Sequence, residues 1–347
     1  MTGDRSPHPP GHAPPHALAL DTEVRTVLSW CYDQPADRIG ALYEAAKSAQ
    51  WNAAEDIDWS LEVPYGAPLP PPSAHSLATF RASPLRERGV AAWDTFRWEL
   101  QAWMIGQFLH GEQAAMVSAA RLVEVLPDVR AKLYAASQAV DEARHTEAFA
   151  RYTAEHLPDP YPISPALQEL FEDGLRAREW DVTALAVQCL VEPVALAGFR
   201  MAGSTFHDDL VKQIVTKVAR DEARHVSYGV LLLKDVLPEL TDAERAHREE
   251  FVLESLALLR RRFLLVEVWE RMGVDARTGA AFTARDPGLT AYRQALFSRV
   301  VPLLGHIGLL TPRVVRGMED LGLLDRAALR TVRRAGLRGP ARPSEGP

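Results

Sequence analysis

The sequence predicts an all-α fold in which four long helices, joined with one long crossover, carry additional flanking helices. Apolar residues recur at helical spacing along most of the chain, whereas the alternation typical of strands is nearly absent. Short links join the predicted helices in pairs, and one longer, Pro-rich link crosses near residues 157–177. The pentapeptide Asp-Glu-Ala-Arg-His occurs at 141–145 and again at 221–225. Together these features are typical of a four-helix bundle with a crossover.

The N-terminal region is predicted to form three kinds of segment. Residues 1–20 are rich in Pro and His, lack the apolar stretch of a signal peptide, and are expected to be a disordered leader. Residues 21–50 are expected to form one or two amphipathic helices. The Pro-rich stretch from 51 to 76 follows, and we expect it to wrap over the main domain with Trp51 and Trp59 pinning it there. Residues 21–87 thus make a unit of helices and wrap.

The central domain is predicted over residues 88–236, with helices at 88–125, 127–156, 178–202 and 207–236. Pro193 lies inside the third of these. It lacks an N–H and would clash with the carbonyl of Cys189, so it should kink or unwind that helix. A C-terminal helical extension is expected over 237–335, with helices at 242–272, at 288–308 and in a short pair from 311 to 335. Residues 336–347 read as a disordered tail.

Composition excludes several classes of function. The net charge is −7 and no basic block stands out, which argues against a nucleic-acid partner. The two cysteines, Cys31 and Cys189, are too few for a disulfide framework or a Cys-ligated zinc or iron–sulfur site, and they indicate a cytoplasmic protein. The longest apolar run is interrupted by Gln188 and Glu192, so no membrane span is expected.

The repeat extends beyond the pentapeptide. A shift of 80 positions maps Glu142 onto Glu222 and His145 onto His225, and 30 residues before each Glu lies another, Glu112 or Glu192. In Glu-x-x-His both side chains share one helix face. A 30-residue step runs along one helix and back along its antiparallel neighbour, which returns the second carboxylate to the same depth.

These glutamates lie on otherwise apolar helix faces. Four carboxylates converging in a core would repel one another and lose their hydration, and two divalent metal ions would neutralise them. Oxygen-rich ligation with two imidazoles favours iron or manganese over zinc or copper. The alternative, exposed glutamates left by an ancient duplication, is disfavoured because an apolar stripe should not carry solvated carboxylates.

The aspartate before each Glu-x-x-His has two interpretations. Asp141 and Asp221 could each orient the histidine of the opposite repeat, since a metal-bound imidazole normally donates its other N–H to a carboxylate. They could instead form simple Asp–Arg surface pairs with Arg144 or Arg224.

One Glu plus a Glu-x-x-His, repeated on long helices, resembles the ferritin-like di-iron carboxylate superfamily over residues 88–236. The Asp-Glu-x-Arg-His form is similar to that of bacterial multicomponent monooxygenase hydroxylases and of arylamine N-oxygenases. The resemblance implies a di-iron centre, or a Mn/Fe one, that uses O2 to oxidise a small organic molecule by hydroxylation, N-oxygenation or desaturation. It assigns one iron to Glu112, Glu142 and His145 and the other to Glu192, Glu222 and His225, with Glu142 or Glu222 bridging.

At two positions the sequence differs from particular groups within this superfamily. Phe149 stands where ribonucleotide reductase small subunits have their radical-forming Tyr, which argues against radical storage. Val218 stands where arylamine N-oxygenases have a third His, so the seven-ligand set of that group is incomplete.

Oxygenation would also need electrons from outside, because the chain has no flavin or iron–sulfur motif. We therefore expect a ferredoxin, a reductase or a small reductant as partner. An unpaired helical face in 242–308 indicates a homodimer. The alternative function is iron oxidation and storage, which the long C-terminal extension and the Pro-rich wrap disfavour. A helical protein of structural or regulatory role with a vestigial site is a third hypothesis, and it predicts no bound metal.

The substrate pocket is expected beside the metals, where Pro193 opens the third helix. Its candidate walls are the residues at helical spacing from the ligands: Phe108, Ala115, Met116, Gln138, Phe149, Leu185, Cys189 and Phe199. His306, on an apolar helix, is expected to be a core histidine with a satisfied hydrogen bond.

Overall fold

The computed structural model describes residues 18–32, 37–324 and 330, and every regular element in these ranges is helical. The predicted all-α fold is confirmed. Most of the predicted leader and all of the predicted tail lie outside the described residues, as does most of 325–335. The helices are α1 (Arg38–Ser48), α2 (Ala74–Ala82), α3 (Val90–Val125), α4 (Val129–His156), α5 (Pro165–Arg176), α6 (Trp180–Ala184), α7 (Glu192–Thr205), α8 (Asp209–Leu233), α9 (Asp242–Arg262), α10 (Val266–Arg271), α11 (Ala276–Arg285), α12 (Pro287–Phe297), α13 (Val300–His306) and α14 (Pro312–Asp320).

The central helices pack as two antiparallel pairs, α3 with α4 and α7 with α8, and α4 also contacts α8. Each pair is joined by a three-residue link that ends in an aspartate, Asp128 or Asp208. These aspartates are again 80 positions apart, and each caps the helix that follows. The carboxylate of Asp128 accepts from the N–H of Ala131 at 2.9 Å, and that of Asp208 accepts from the N–H of Val211 at 2.8 Å. The repeat therefore includes the caps that fix where both motif helices begin.

The third helix of the sequence prediction has the distortion that Pro193 implies. Residues Leu185–Val191 form a π-helical segment between α6 and α7, and the N–H of Glu192 reaches back to the carbonyl of Val187. α8 approaches this segment closely at Gly229, where a Cβ atom would lie 2.6 Å from the Cβ of Gln188. π-Helical segments are rare in proteins, but those that occur often lie at functional sites. This segment ends directly before Glu192 and places that residue in the core.

The predicted helix over 21–50 is wrong for residues 21–32. This stretch has no regular secondary structure, and the N–H of Val27 is bonded to the carbonyl of Glu124 at the end of α3. Val24 packs against the core, but Leu28, Trp30 and Tyr32 are exposed. The stretch therefore buries little apolar surface, and a short helix without packing is marginal in water. The helix begins only at α1, where Asp37 caps the N–H of Gly40.

Two predicted C-terminal helices are each broken in two. The prediction over 242–272 fails at Leu265, which adopts a left-handed conformation with φ of 58° and separates α9 from α10. The prediction over 288–308 fails at Ser298, between α12 and α13. Pro302 explains that break, because it has no N–H to donate to the carbonyl of Ser298. His306, expected in the core, is exposed, with its Nδ1 2.6 Å from the carbonyl of Pro302.

One stretch, Trp180–Thr205, is long and apolar enough to cross a membrane, but 94% of its most apolar window is buried inside the protein. A core helix passes the same test. α5 and α9 pack against the π-segment and α12 packs against α7, so the C-terminal extension covers the outer side of the helix that carries Glu192.

Candidate metal centre

The six residues that the repeat predicts to be ligands lie together in the buried core between the central helices. Each is at most 5% exposed. Oxygen and nitrogen atoms of Glu112, Glu142, His145 and Glu222 lie within 4.8 Å of one another, and so do those of Glu142, Glu192, Glu222 and His225. Glu142 and Glu222 belong to both groups. Two adjacent cations would therefore share these two carboxylates and each would have one further carboxylate and one imidazole of its own.

The atoms that face this centre fit a pair of metal ions. Both carboxylate oxygens of Glu222, Oε2 of Glu142 and Nδ1 of His225 are buried and have no hydrogen-bond partner among the described residues. The Nδ1 atom of His145 lies 3.0 Å from Oε2 of Glu112 and 3.3 Å from Oε2 of Glu142. Buried polar atoms left unpaired in this way call for a bound ion or water, and the mixed carboxylate and imidazole set suits iron or manganese.

The pKa shifts of these carboxylates show that it is unfavourable to bury them together in their charged form. Burial and the neighbouring carboxylate of Glu222 raise the pKa of Glu112 well above its ordinary value, and the same two causes raise that of Glu192. Burial would also raise the pKa of Glu142, but His225 and His145 outweigh it and hold this pKa well below its usual range. Bound cations would take over the neutralising role of these protons, so metal binding should release them.

Behind the histidines lies a layer made of Asp141, Asp221, Arg144 and Arg224, which we call the Asp–Arg layer. Nε2 of His145 lies 3.0 Å from Oδ2 of Asp221, and Nε2 of His225 lies 3.3 Å from Oδ2 of Asp141. Each aspartate therefore contacts the histidine of the opposite repeat, as the first interpretation predicts. These contacts leave Nδ1 of each imidazole directed toward the carboxylates.

The arginine contacts of the second interpretation are also present, but those of Arg144 are buried and those of Arg224 partly buried. Arg144 donates to Asp141 at 2.5 Å and to Asp221 at 3.4 Å, and Arg224 donates to Asp221 at 2.6 Å and to Asp141 at 3.3 Å. Each arginine thus bridges both aspartates. The pKa of Asp141 is lowered because its contacts to His225 outweigh the effect of burial. The pKa of Asp221 is lowered because its contacts to His145 outweigh the effect of burial.

Gln50, which follows α1, and Trp51, the first residue of the Pro-rich stretch, complete this layer. The Trp51 indole donates its Nε1–H to Oδ2 of Asp221 at 2.8 Å, and its ring stacks on His145 with 6.1 Å between centroids. Gln50 donates to Asp141 at 3.0 Å and accepts from Arg144 at 2.6 Å. Trp51 was expected only to hold the wrap in place, and Gln50 was not expected to contact the site. The Pro-rich segment therefore participates in the site instead of only covering the surface.

A cavity of about 30 Å³ lies against Glu112, Glu192 and Glu222 and includes no residue of the Asp–Arg layer. Of the eight residues predicted to form the pocket walls, only Phe108 and Ala115 line it. The other walls come from α3, α5, the π-segment, α7 and the C-terminal extension: Met104, Gln107, Gly111, Leu167, Val191, Val194, Ala195, Gly198, Arg262, Phe263 and Leu296.

The other six residues that were predicted to form the pocket do not line the cavity. Phe149 and Phe199 pack with Phe108 in an aromatic cluster, with centroid distances of 5.7 and 4.4 Å from Phe108. Gln138 donates to Glu142 and Glu192 at 3.0 and 3.1 Å, so it positions ligands instead of lining the cavity. Leu185 and Cys189 are fully buried in the π-segment and Met116 is partly exposed. Helical spacing predicts that these side chains lie on the same helix face as the ligands. It does not predict which neighbouring helix packs over each of them.

The chain matches the family model described as p-aminobenzoate N-oxygenase AurF over residues 33–308. None of the curated protein sequences matches it. Among solved structures, an R2-like ligand-binding oxidase variant with a Mn/Fe cofactor is similar, with 16% identity, a TM-score of 0.55, and coverage of 78% of this chain and 93% of that one. A second variant of such an oxidase, with an Fe/Fe cofactor, has 15% identity and a TM-score of 0.53 over 78% of this chain and 93% of that one. At these identities the likeness concerns the fold.

Proposed function

The chain belongs to the p-aminobenzoate N-oxygenase AurF family, and from this premise we propose that Glu112, Glu142, His145, Glu192, Glu222 and His225 hold a di-iron centre that activates O2 to oxidise a small organic substrate. The protein is a di-iron oxidoreductase of the oxygenase or oxidase class. The observation that carries the ligand assignment is the pair of overlapping four-residue groups, all buried, with orphaned carboxylate oxygens directed into them. When bound, the metal pair supplies O2 binding and two-electron oxidation.

The protein residues supply placement and exclusion of water. Asp221 and Asp141 accept the Nε2–H of His145 and His225, which fixes the tautomer that presents a Nδ1 lone pair to the metals. Gln138 holds Glu142 and Glu192 from one side. The cavity walls around Phe108 and Ala115 are apolar, so a substrate beside Glu112 and Glu192 would be oxidised away from bulk water.

The finer reaction type is a proposal that rests on the family. N-oxygenation of an amine is the first reaction to test, because the family description names it; hydroxylation and desaturation are the others. Val218 is buried on α8 one turn before Glu222, so this chain would carry out such a reaction with six ligands from the described residues. A Mn/Fe pair is the alternative metal content, as in the R2-like oxidase variant.

We also propose an external electron donor, either a ferredoxin with its reductase or a small reductant, because the sequence has no motif for a redox cofactor of its own. A homodimer and a cytoplasmic location belong to the same proposal.

The test combines metal analysis with product analysis. Protein loaded anaerobically with Fe(II) and given an amine panel, a reductant and labelled O2 should bind two irons per chain and yield product that contains the label. The storage alternative predicts instead rapid Fe(II) oxidation with on the order of hundreds of irons retained per assembly and no dependence on an organic substrate. A folded chain that binds no iron would contradict both.

A further inference from the structure

The two repeats that supply the metal cluster differ one helical turn before each Glu-x-x-His motif. Gln138 lies four residues before Glu142, and Val218 lies four residues before Glu222, again 80 positions apart. Both side chains are fully buried. Residues four apart share one helix face, so each of these side chains lies beside the glutamate that follows it. The first repeat therefore places an amide where the second places a hydrocarbon.

A second pair of equivalent positions shows the same difference. Gln188 lies four residues before Glu192, and Phe108 lies four residues before Glu112. Both side chains are buried, and neither amide atom of Gln188 has a hydrogen-bond partner among the described residues. The duplicated site is therefore asymmetric at these positions, with both amides on the side that holds Glu192.

The end of the Gln138 side chain lies among the atoms that would hold one of the two metal ions. Its Nε2 is 3.0 Å from Oε1 of Glu142 and 3.1 Å from Oε1 of Glu192. Nδ1 of His225 is 3.1 Å from the same oxygen of Glu142. Atoms bound at about 2.1 Å in neighbouring positions of an octahedral ion lie about 3.0 Å apart. The amide of Gln138 therefore has the spacing of a further ligand beside Glu192 and His225.

The Gln138 amide can present either of its two ends to a metal ion. Its nitrogen donates to the two carboxylates, and its Oε1 is buried without a hydrogen-bond partner within the described part of the chain. A half-turn of the amide group exchanges the oxygen and the nitrogen and leaves the shape of the side chain unchanged. Amide carbonyl oxygens act as metal ligands in oxygen-rich sites. A cation held by the neighbouring carboxylates therefore favours the orientation that presents the oxygen.

We propose that Oε1 of Gln138 is a further ligand of the metal centre, bound to the ion that Glu192 and His225 hold. This ligand assignment rests on the proposed function and goes beyond its six ligands. It makes the two metal positions unequal, because Val218 offers no donor atom on the other side. The position beside Glu112 therefore keeps more room for a molecule from outside, as open positions do in catalytic metal sites.

The alternative role of Gln138 is to donate hydrogen bonds to the two glutamates, and the two roles predict different results. A donor to Glu142 supports both metal positions, because Glu142 belongs to both ligand groups. A ligand supports only the position that includes Glu192 and His225.

The test adds Gln138→Leu to two backgrounds that each retain one metal position. Glu112→Ala retains the position that includes His225, and Glu192→Ala retains the position that includes His145. Fe(II) is titrated anaerobically against a chelator of known affinity. In the Glu112→Ala background, Gln138→Leu should lower the affinity roughly ten- to hundred-fold, and in the Glu192→Ala background it should change it by less than about two-fold. Equal losses in both backgrounds, or no loss in either, would overturn the assignment.

Gln138→Glu gives a second measurement in the otherwise unchanged chain. A carboxylate keeps the shape and an oxygen donor but removes the N–H. If Gln138 is a ligand, the variant should still bind two irons, with one of them bound at least as tightly as in the parent. If Gln138 serves only as a donor, the added carboxylate repels Glu142 and Glu192 and weakens both irons. The second result would overturn the assignment.

Gln188→Leu is the matched control, because it removes a buried amide from the same side of the site without removing a hydrogen bond to a ligand. It should change the affinity of either iron by less than about two-fold. Thermal unfolding of the iron-free variants checks that each is folded. A loss as large as that of Gln138→Leu would overturn the assignment, because any change to a buried amide there would then weaken the metals.

The remaining outcomes separate this ligand assignment from the proposed function. Two irons bound by the parent, with Gln138→Leu behaving like Gln188→Leu, would overturn the further ligand alone. A folded parent chain that binds no iron would overturn the proposed function, and with it the site that Gln138 extends.

Discussion

Replacing Asp221 with asparagine should weaken one metal position and leave the other nearly intact. The Asp221 carboxylate accepts from His145 at 3.0 Å, from Trp51 at 2.8 Å and from Arg224 at 2.6 Å. An asparagine keeps the volume but loses the charge and half of the acceptor capacity. Losing a partner that orients a metal-bound histidine costs on the order of 10–100-fold in metal affinity, which is about 1.4–2.7 kcal/mol.

The loss should fall on the position that includes His145, because Asp221 does not contact His225. Asp141→Asn should give the mirror image, with the loss at the position that includes His225. The folded state should also be destabilised, by about 2–3 kcal/mol, less than for a completely broken buried pair because Asp141 still contacts both arginines.

The assay is an anaerobic Fe(II) titration against a chelator of known affinity, with urea unfolding measured in parallel. Asp128→Asn is the control, because Asp128 caps α4 and takes no part in the Asp–Arg layer. If Asp221→Asn bound both irons with the affinity of the parent, Asp221 would serve only as a counter-ion for the arginines, and the cross-repeat account would be refuted.

Three further predictions concern residues that hold the helices and the N-terminal segment in place around the site. Gly229→Ala should lower the free energy of unfolding by about 1–3 kcal/mol in urea denaturation, because its Cβ would lie 2.6 Å from the Cβ of Gln188. Trp51→Phe should lower it by about 1.5–3 kcal/mol through loss of the hydrogen bond to the charged Asp221, seen as a lower Tm in calorimetry. Asp208→Ala should cost about 2–4 kcal/mol in the same measurement, against about 1 kcal/mol for Asp128→Ala, because only Asp208 also accepts from Gln101 and Tyr152.

Each of these changes has an internal comparison. Gly203→Ala is the counterpart of Gly229→Ala, since its Cβ would meet Thr216 only at 3.8 Å, and it should be neutral or slightly stabilising. Trp30, which is 76% exposed, should tolerate Phe without loss. Equal effects at the two glycines, at the two tryptophans or at the two caps would contradict the respective packing, hydrogen-bond and capping arguments.

The repeat predicts that the six candidate ligands lie together, and it does so because its geometry is local. A Glu-x-x-His motif and a 30-residue return need only helix geometry and a short link, and these bring Glu112 to the depth of Glu142. The all-α fold and the distortion at Pro193 follow from equally local rules. The break at Ser298 also follows from a local rule, through Pro302, although the prediction did not apply it there. The break at Leu265 has no such local signal, because a continuous apolar pattern runs through a residue that adopts a left-handed conformation.

The parts of the site that sequence reasoning missed depend on long-range contacts. Trp51 meets Asp221 across 170 positions and Gln50 meets Asp141 across 91, and no periodicity links residues so far apart. The cavity walls depend on how the C-terminal extension folds back over α7. Arg262 in particular lies in a run of three arginines that look alike in the sequence, and only the fold shows which of them lines the cavity.

Iron binding to variants of the shared and unshared glutamates tests the central claim most directly. Elemental analysis of the parent after anaerobic loading should give two irons per chain. Glu142→Ala should lose both, because Glu142 belongs to both ligand groups, whereas Glu112→Ala should lose mainly one. A Glu142→Ala variant that is folded and keeps both irons, or a parent that binds none, would contradict the account.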